Sequence, residues 1–350
     1  MSRLSRVVPL ILILAATTIF CDSDHPELLQ RILFGSCVLQ SRPQPIFTTI
    51  AAANPDLFIF LGDNIYADTI DMAVMQRAYD QLAASSSFQR LLERCPVLAV
   101  WDDHDYGAND AGSEYPKREE SKELFLDFWQ EPENSLRRKR AGIYAAHLYG
   151  PVGRRVQVIL LDTRTFRDSL VRGNPKPTDA LGPYVANPDP AATILGEQQW
   201  RWLEQQLTRP ARIRIIVSSI QVIPEFSGWE SWANFPLEKQ RLLDLIADRG
   251  VEGVIFISGD RHFAELSVLR REGGYPLYEL TSSALNLRHP SGLTGANQLR
   301  IDGTYLRENF GEIRIRWSAR PLVSLSIRDL EGKVRLETSF PLADLTSTTH

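Results

Sequence analysis

Three aspartates stand directly after short apolar runs. Asp63 lies in GDNIY (Gly62–Tyr66), Asp103 in DDHD (Asp102–Asp105) and Asp260 in GDRH (Gly259–His262). Packing these carboxylates into one crevice costs several kcal/mol unless a cation offsets their repulsion, so a polyvalent metal centre is the simplest chemistry they offer. Carboxylates suit the hard ions Ca2+, Mg2+, Mn2+ or Fe3+. A thiolate from Cys37 and an imidazole from His262 pull toward a transition metal such as iron or Zn2+. The mixed donor set points to two or more ions, and a pair spaced about 3.5–4 Å apart suits phosphoryl transfer. His104, between Asp103 and Asp105 after a buried run, is a candidate functional residue.

The elements that must position these residues share a pattern. RILFG (Arg31–Gly35) leads to Ser36 and Cys37, LFIFL (Leu57–Leu61) to Asp63, VLAVW (Val97–Trp101) to Asp102, and VIFIS (Val254–Ser258) to Asp260. Such nearly continuous apolar runs read as strands buried on both faces. Helical periodicity over Ile46–Ala53, Met72–Ala84, Gly196–Leu207 and Leu237–Arg249 alternates with them, which implies largely parallel sheets with right-handed crossovers. Ligands of such sheets sit at the carboxyl ends of the strands, where all four polar clusters fall. Alternation over Glu312–Trp317, Leu322–Asp329 and Lys333–Phe340 reads as antiparallel strands of a second sheet. Thr163–Leu195 reads as a long surface excursion, a candidate rim of the site.

Composition excludes several classes. With 43 acidic and 39 basic residues and a net charge of −4, the chain has no overall field for nucleic acid. Its 43% hydrophobic and 23% charged content is that of a globular protein. Arg3 and Arg6 precede an apolar run at Val7–Phe20, shorter than the roughly 20 residues of a membrane span. Residues 1–22 are therefore expected to be a signal peptide or N-terminal anchor, with membrane contact only there and an exported location. Residues 30–345 are expected to form a single catalytic domain. Cys37 and Cys95 could form one disulfide, or Cys37 could stay free as a ligand. His25 and His147 read as structural or solvated, and the basic run Arg137–Arg140 as a solvated face. Trp229 and Trp232 could be core or rim.

In order along the chain, FGSC (Phe34–Cys37), LGDNIYAD (Leu61–Asp68), WDDHDYGAND (Trp101–Asp110), LDTRTFRD (Leu161–Asp168), ISGDRHFAEL (Ile257–Leu266) and YPLYELTSSALN (Tyr275–Asn286) resemble the alkaline phosphatase D (PhoD-like) family of the metallophosphoesterase superfamily. The resemblance implies an α/β fold, a four-layer α/β/β/α sandwich with two mainly parallel or mixed sheets. It also implies hydrolysis of phosphate mono- or diesters by a metal-activated hydroxide, with iron and calcium as the metals. Carried over by position, Cys37, Asp63, Tyr66, Asp103, Asn109, Asp260 and His262 become ligands. Asp63 would bridge two ions, and Cys37 and Tyr66 would bind the ferric one. His104 becomes the general acid, with Asp105 or Asp102 orienting it. Arg164 and Arg261 are expected to clamp the phosphate, on charge and location alone. Small-molecule or lipid-linked phosphate esters are the expected substrates. A phospholipase D-like diesterase and a non-enzymatic exported metal-binding module are the alternatives. GSC and DDHD depart from the wider superfamily's D-x-H and G-N-H-D/E, which leaves open a ligand role for Ser219 or Gln221.

Overall fold

The computed structural model describes residues 23–173, 181–225, 228–288 and 294–347. The expected leader at 1–22 lies outside the described residues. Among those described, no helix is long and apolar enough to cross a membrane.

The first half of the chain supplies strands β1 (Ser23–His25), β2 (Arg31–Gly35), β3 (Leu57–Leu61), β4 (Val97–Val100), β5 (Ala145–Tyr149) and β6 (Val156–Leu160). A short ribbon follows, β7 (Val171–Arg172) with β8 (Tyr184–Val185). Strands β9 (Ile213–Val217), β10 (Val254–Ser258), β11 (Ala264–Leu269), β12 (Leu277–Ser282) and β13 (Arg300–Tyr305) come next. The tail adds β14 (Asn309–Arg316), β15 (Leu322–Asp329) and β16 (Val334–Pro341). Eight strands form one sheet in the order β1-β5-β6-β9-β10-β12-β11-β13, and six form the other in the order β16-β15-β14-β2-β3-β4. The parallel trio β2-β3-β4 is extended by the antiparallel tail strands, so the tail completes this sheet as the alternation predicts. In the larger sheet, β6, β9, β10 and β12 run parallel.

Every residue of β3 and of β10 is buried, as expected where both faces of a parallel sheet are covered. The helices are α1 (Ile46–Ala52), α2 (Met72–Ala83), α3 (Ser86–Arg94), α4 (Asp103–Tyr106), α5 (Arg118–Phe128), α6 (Leu136–Lys139), α7 (Gly196–Leu207) and α8 (Pro236–Asp248). The side chain of Asp71 accepts the Ala73 N–H at 2.9 Å to cap α2, and Pro236 opens α8 where no intrahelical donor is needed. α7 and α8 are tied by the Trp200 indole, which donates to Glu238 at 3.0 Å. The sheets meet at the carboxyl ends of β2 and β10. A Cβ on Gly259 would collide with the Ser36 hydroxyl there, and the Leu285 N–H donates to the Ser36 carbonyl at 2.9 Å.

Two expectations are corrected. Thr163–Leu195 is not wholly a surface excursion, because Thr163, Arg164, Thr165 and Arg167 are buried before the chain emerges into β7. Nor is Arg137–Arg140 a solvated face. β4 is the edge of its sheet, and Arg137 is buried against it, donating to the Ala99 carbonyl at 3.2 Å and pairing with Glu131 at 3.0 Å. Arg140 stacks over the Tyr144 ring at 3.9 Å. His147 and His25 are buried strand residues, which agrees with the structural reading.

The Arg137–Glu131 pair is almost inaccessible, at 3% and 0% side-chain exposure. Arg137→Met should therefore cost about 3–5 kcal/mol in urea unfolding by leaving a buried carboxylate alone. Adding Glu131→Gln to that variant should recover much of the loss. A single-variant loss below about 1 kcal/mol would show that the pair is not a buried ion pair in solution.

Candidate metal centre

The ends of β2, β3 and β10 turn abruptly, and the backbone records it. Of nine non-glycine residues at positive φ among those described, four are here, Cys37 (64°), Asp63 (50°), Asp260 (69°) and His262 (58°), and two more, Asp68 (44°) and Asp110 (57°), lie in the loops beside them. Outside glycine this region is sparsely populated and costs roughly 1–3 kcal/mol per residue, and it clusters at functional sites. Gly62, at φ 103°, has no alternative: a Cβ there would lie 2.5 Å from that of Asp102.

Five of the expected ligands converge. The Tyr66 hydroxyl donates to Asp63 Oδ2 at 2.9 Å and lies 3.0 Å from His262 Nε2. Cys37 Sγ is 3.4 Å from Asp63 Oδ2. Donor atoms of Cys37, Asp63 and His262 lie within 4.8 Å of one another, as do those of Asp63, Asp103 and His104, so Asp63 belongs to both clusters. Its second oxygen, Oδ1, is buried and accepts no hydrogen bond. A shared carboxylate with an unsatisfied oxygen, beside thiol, phenol and imidazole, is a donor set that fits metal ions. Cys37 and Cys95 are both free and buried, so the alternative of a disulfide does not hold.

His104, Asn109, Asp260 and Arg261 join Asp103, Asp110, Trp229 and His262 around a crevice of about 170 Å3. Asn109 and Asp260 thus face the same space as the clusters without belonging to either. Trp232 is core and Trp229 is rim, which separates two residues that sequence could not.

Two positions differ from expectation. Asp105 does not orient His104. It is buried under the segment, accepting the Asp102 N–H at 2.6 Å and the Asn64 N–H at 3.1 Å. The imidazole is instead held by Asp68, whose carboxylate lies 2.8 Å from Nδ1, while Tyr66 packs on the ring at 4.2 Å between centroids. Arg164 is no phosphate clamp: it is wholly buried, and its guanidinium is taken up by Asp102, by Glu230 at 2.6 Å and by the Ala111 carbonyl. Ser219 donates to Asp102 Oδ1 at 2.6 Å and Gln221 to Glu265 at 2.6 Å, so neither is offered as a ligand.

Sequence reasoning missed Asp68, Asp110 and Glu230. Asp68 and Asp110 lay within the quoted motifs as their last residues, whereas nothing marked Glu230. Asp103, Asp110 and Glu230 form a third acidic group. Glu230 there pairs with Arg164 and Arg167, and Asp110 accepts the Tyr184 hydroxyl.

Burial dominates the electrostatics. It pushes Asp63 and Asp260 well above the usual carboxylate range, the Tyr66 phenol well above its usual value and the Cys37 thiol up to about 11. Asp103 is the exception: burial opposes its charge, but Arg164 and His104 hold it at about 2. His104 is likewise opposed by burial and raised to about 11 by the carboxylates of Asp63, Asp103 and Asp68. Acids this reluctant to ionise become good donors only when a cation stabilises their charge.

Residues 36–316 match the family model of the PhoD-like phosphatases. Alkaline phosphatase D of Bacillus subtilis (strain 168) is 24% identical over 312 residues, covering 73% of this chain and 49% of that protein. The chain thus spans about half the length of the curated relative it matches. A solved structure of PhoD aligns with a TM-score of 0.70 at 17% identity, over 93% of this chain and 72% of that one. A dimetal phosphatase from Danio rerio aligns at 0.52 and 13% identity, over 92% and 100%. GAP50, the anchor in the inner membrane complex of Plasmodium, aligns at 0.56 and 13%, over 92% and 90%. These structural likenesses show the mixed α/β, two-sheet fold and no more, since an anchor protein shares it. By the extent of the family match, this chain is a member of the PhoD-like phosphatase family.

Proposed function

We propose that this protein is an exported metal-dependent phosphoesterase acting on small or lipid-linked phosphate esters, with export resting on the apolar segment at residues 7–20. The observation that carries the catalytic reading is Asp63, one buried carboxylate with an unpaired oxygen shared by two ligand clusters. Cys37, Asp63, Tyr66 and His262 would hold Fe3+, and Asp63, Asp103, Asn109 and Asp260 would hold Ca2+, with Mn2+, Zn2+ or Mg2+ as substitutes. Such ions, when bound, make a nucleophile of water at neutral pH and offset the charge of the transferring phosphoryl group.

The chain's own groups supply the rest. Arg261 lines the crevice, where its guanidinium would donate to a phosphate oxygen. Asp68 accepts from His104 Nδ1, which leaves Nε2 to carry the transferable proton. As the ester P–O bond breaks, that proton passes to the departing oxygen. The carboxylates of Asp63 and Asp103 raise His104, and with their charge taken up by metal the imidazolium would hold its proton less tightly and come within reach of donation.

The decisive experiment is hydrolysis of p-nitrophenyl phosphate and its bis ester after loading with Fe/Ca, Mn or Zn; no release from either ester under any loading rejects the reading. His104→Ala should lower kcat/KM about 10²–10⁴-fold on phenyl phosphate and much less on 2,4-dinitrophenyl phosphate, whose leaving group needs no proton. Asp68→Asn should show the same leaving-group dependence at smaller size. Uniform losses on both esters would remove His104 from the acid role.

Metal removal has a signed pH consequence. Burial raises Asp102 and Asp105 to about 7 and Asp110 to about 6. Raised carboxyls stabilise the fold below about pH 4, and that stability is lost as pH climbs through their folded values. The melting temperature of chelated protein should therefore fall between pH 5 and about pH 8, and metal should restore it. The Fe3+-loaded protein should also show a visible phenolate and thiolate charge-transfer band that Tyr66→Phe shifts. An unchanged band would exclude Tyr66 as a ligand.

A further inference from the structure

The phosphoesterase reading leaves open what the ester oxygen carries. The crevice of about 170 Å3 has to take the phosphate together with any bound ions, which directs a bulky organic group toward its rim. Trp229 is the large apolar side chain of that rim. It is half-buried, whereas Trp101, Trp200 and Trp232 are buried completely.

The backbone on both sides of Trp229 is fixed. Before it, the Gly228 carbonyl accepts the Tyr184 N–H at 3.0 Å, which fastens the turn to β8, and Gly228 sits at φ 78°. Gly182 packs so closely on that turn that a Cβ would collide with the Gly228 carbonyl. After it, Glu230 is held by the buried guanidinium groups of Arg164 and Arg167. Across the crevice mouth, the Tyr184 hydroxyl donates to Asp110. A partly exposed indole on a tethered turn beside a small polar site is a stacking surface.

We propose that Trp229 is the specificity-determining platform of this site, and that the preferred substrates are phosphate esters bearing a flat neutral ring, aryl or nucleosidyl, on the ester oxygen. The lining is of mixed sign, with Arg261 and His104 beside Asp103, Asp110 and Asp260, so the flat face of the indole and not charge is what selects the ring, and a quaternary ammonium is the competing occupant. An acyclic polyol offers no flat face for the indole to cover.

The inference rests on the phosphoesterase reading, and two kinds of measurement keep them apart. With metal-loaded protein, Trp229→Ala should raise KM about tenfold for phenyl phosphate and for the p-nitrophenyl ester of thymidine 5′-phosphate. It should leave kcat within about twofold and KM for glycerol phosphate unchanged. Trp229→Phe should retain most of the affinity. Gly182→Val, which leaves the indole intact and displaces the turn, should reproduce the rise in KM. Independently of turnover, phenylphosphonate should bind the wild type about tenfold more tightly than methylphosphonate, and Trp229→Ala should abolish the difference. Equal losses on glycerol phosphate would make Trp229 a structural wall, and a larger loss on phosphocholine would make it a cation site. Equal binding of the two phosphonates by the wild type would overturn the platform outright. Failure of the wild type to hydrolyse any ester while still discriminating the phosphonates would sink the phosphoesterase reading and spare the platform.

Discussion

The structure depends on how negative charge is accommodated where the two sheets meet. Asp63, Asp102, Asp103, Asp105, Asp110, Glu230 and Asp260 come from four separate segments and are packed together, all but Asp110 and Asp260 buried. The fold divides them. Arg164 neutralises Asp102 and Glu230 directly and holds Asp103 ionised from a distance, while Arg167 adds a second contact to Glu230. Asp105 is satisfied by backbone and amide donors. Asp63 receives one phenol and one thiol and keeps a bare oxygen, and among the described residues Asp260 is paired only with Arg261, 3.8 Å away. The two acids with the least compensation are therefore the two that a metal ion would serve most, a division made by arginine placement more than by the acids themselves.

Geometry imposes the second constraint. A parallel strand delivers its last side chains along the sheet, so turning three of them toward one point requires the chain to reverse within a residue or two. Positive φ at Cys37, Asp63, Asp260 and His262 does this. Gly62 and Gly259 permit it, because the backbones they occupy pass too close to Asp102 and Ser36 for any side chain. The unfavourable conformations are held by the buried strands behind them, β3 and β10, which lose all solvent contact on both faces.

Much of this was legible in the amino-acid sequence. β2, β3 and β10 have the bounds that their apolar runs predict, and α7 matches its periodic stretch at both ends. Buried parallel strands and long amphipathic helices write their burial into consecutive residues. Partnerships across the chain are not written that way. Asp105 was the natural partner of His104 by adjacency, yet the first turn of α4 sends their side chains to different sides, and Asp68 arrives from another loop. Arg164 looked like an anion clamp because arginine beside a site usually is one. The acid that occupies it, Glu230, lies 66 residues further on in a segment with no motif. Arg137 was misread for the same reason, since the edge carbonyl of Ala99 that it covers is 38 residues away.

Arg164 links the chemistry to the rim. One face of its guanidinium holds Asp102, which fixes the start of the DDHD segment and hence the placement of Asp103 and His104. Its other contact is Glu230, the neighbour of Trp229. The segment that presents His104 and the segment that presents Trp229 are thus tied together through the buried Arg164. Separate surface loops would let those two segments drift independently, and a misplacement of about 1 Å at a reacting centre is enough to cost a large factor in rate. Burying the arginine between them makes their spacing a property of the core.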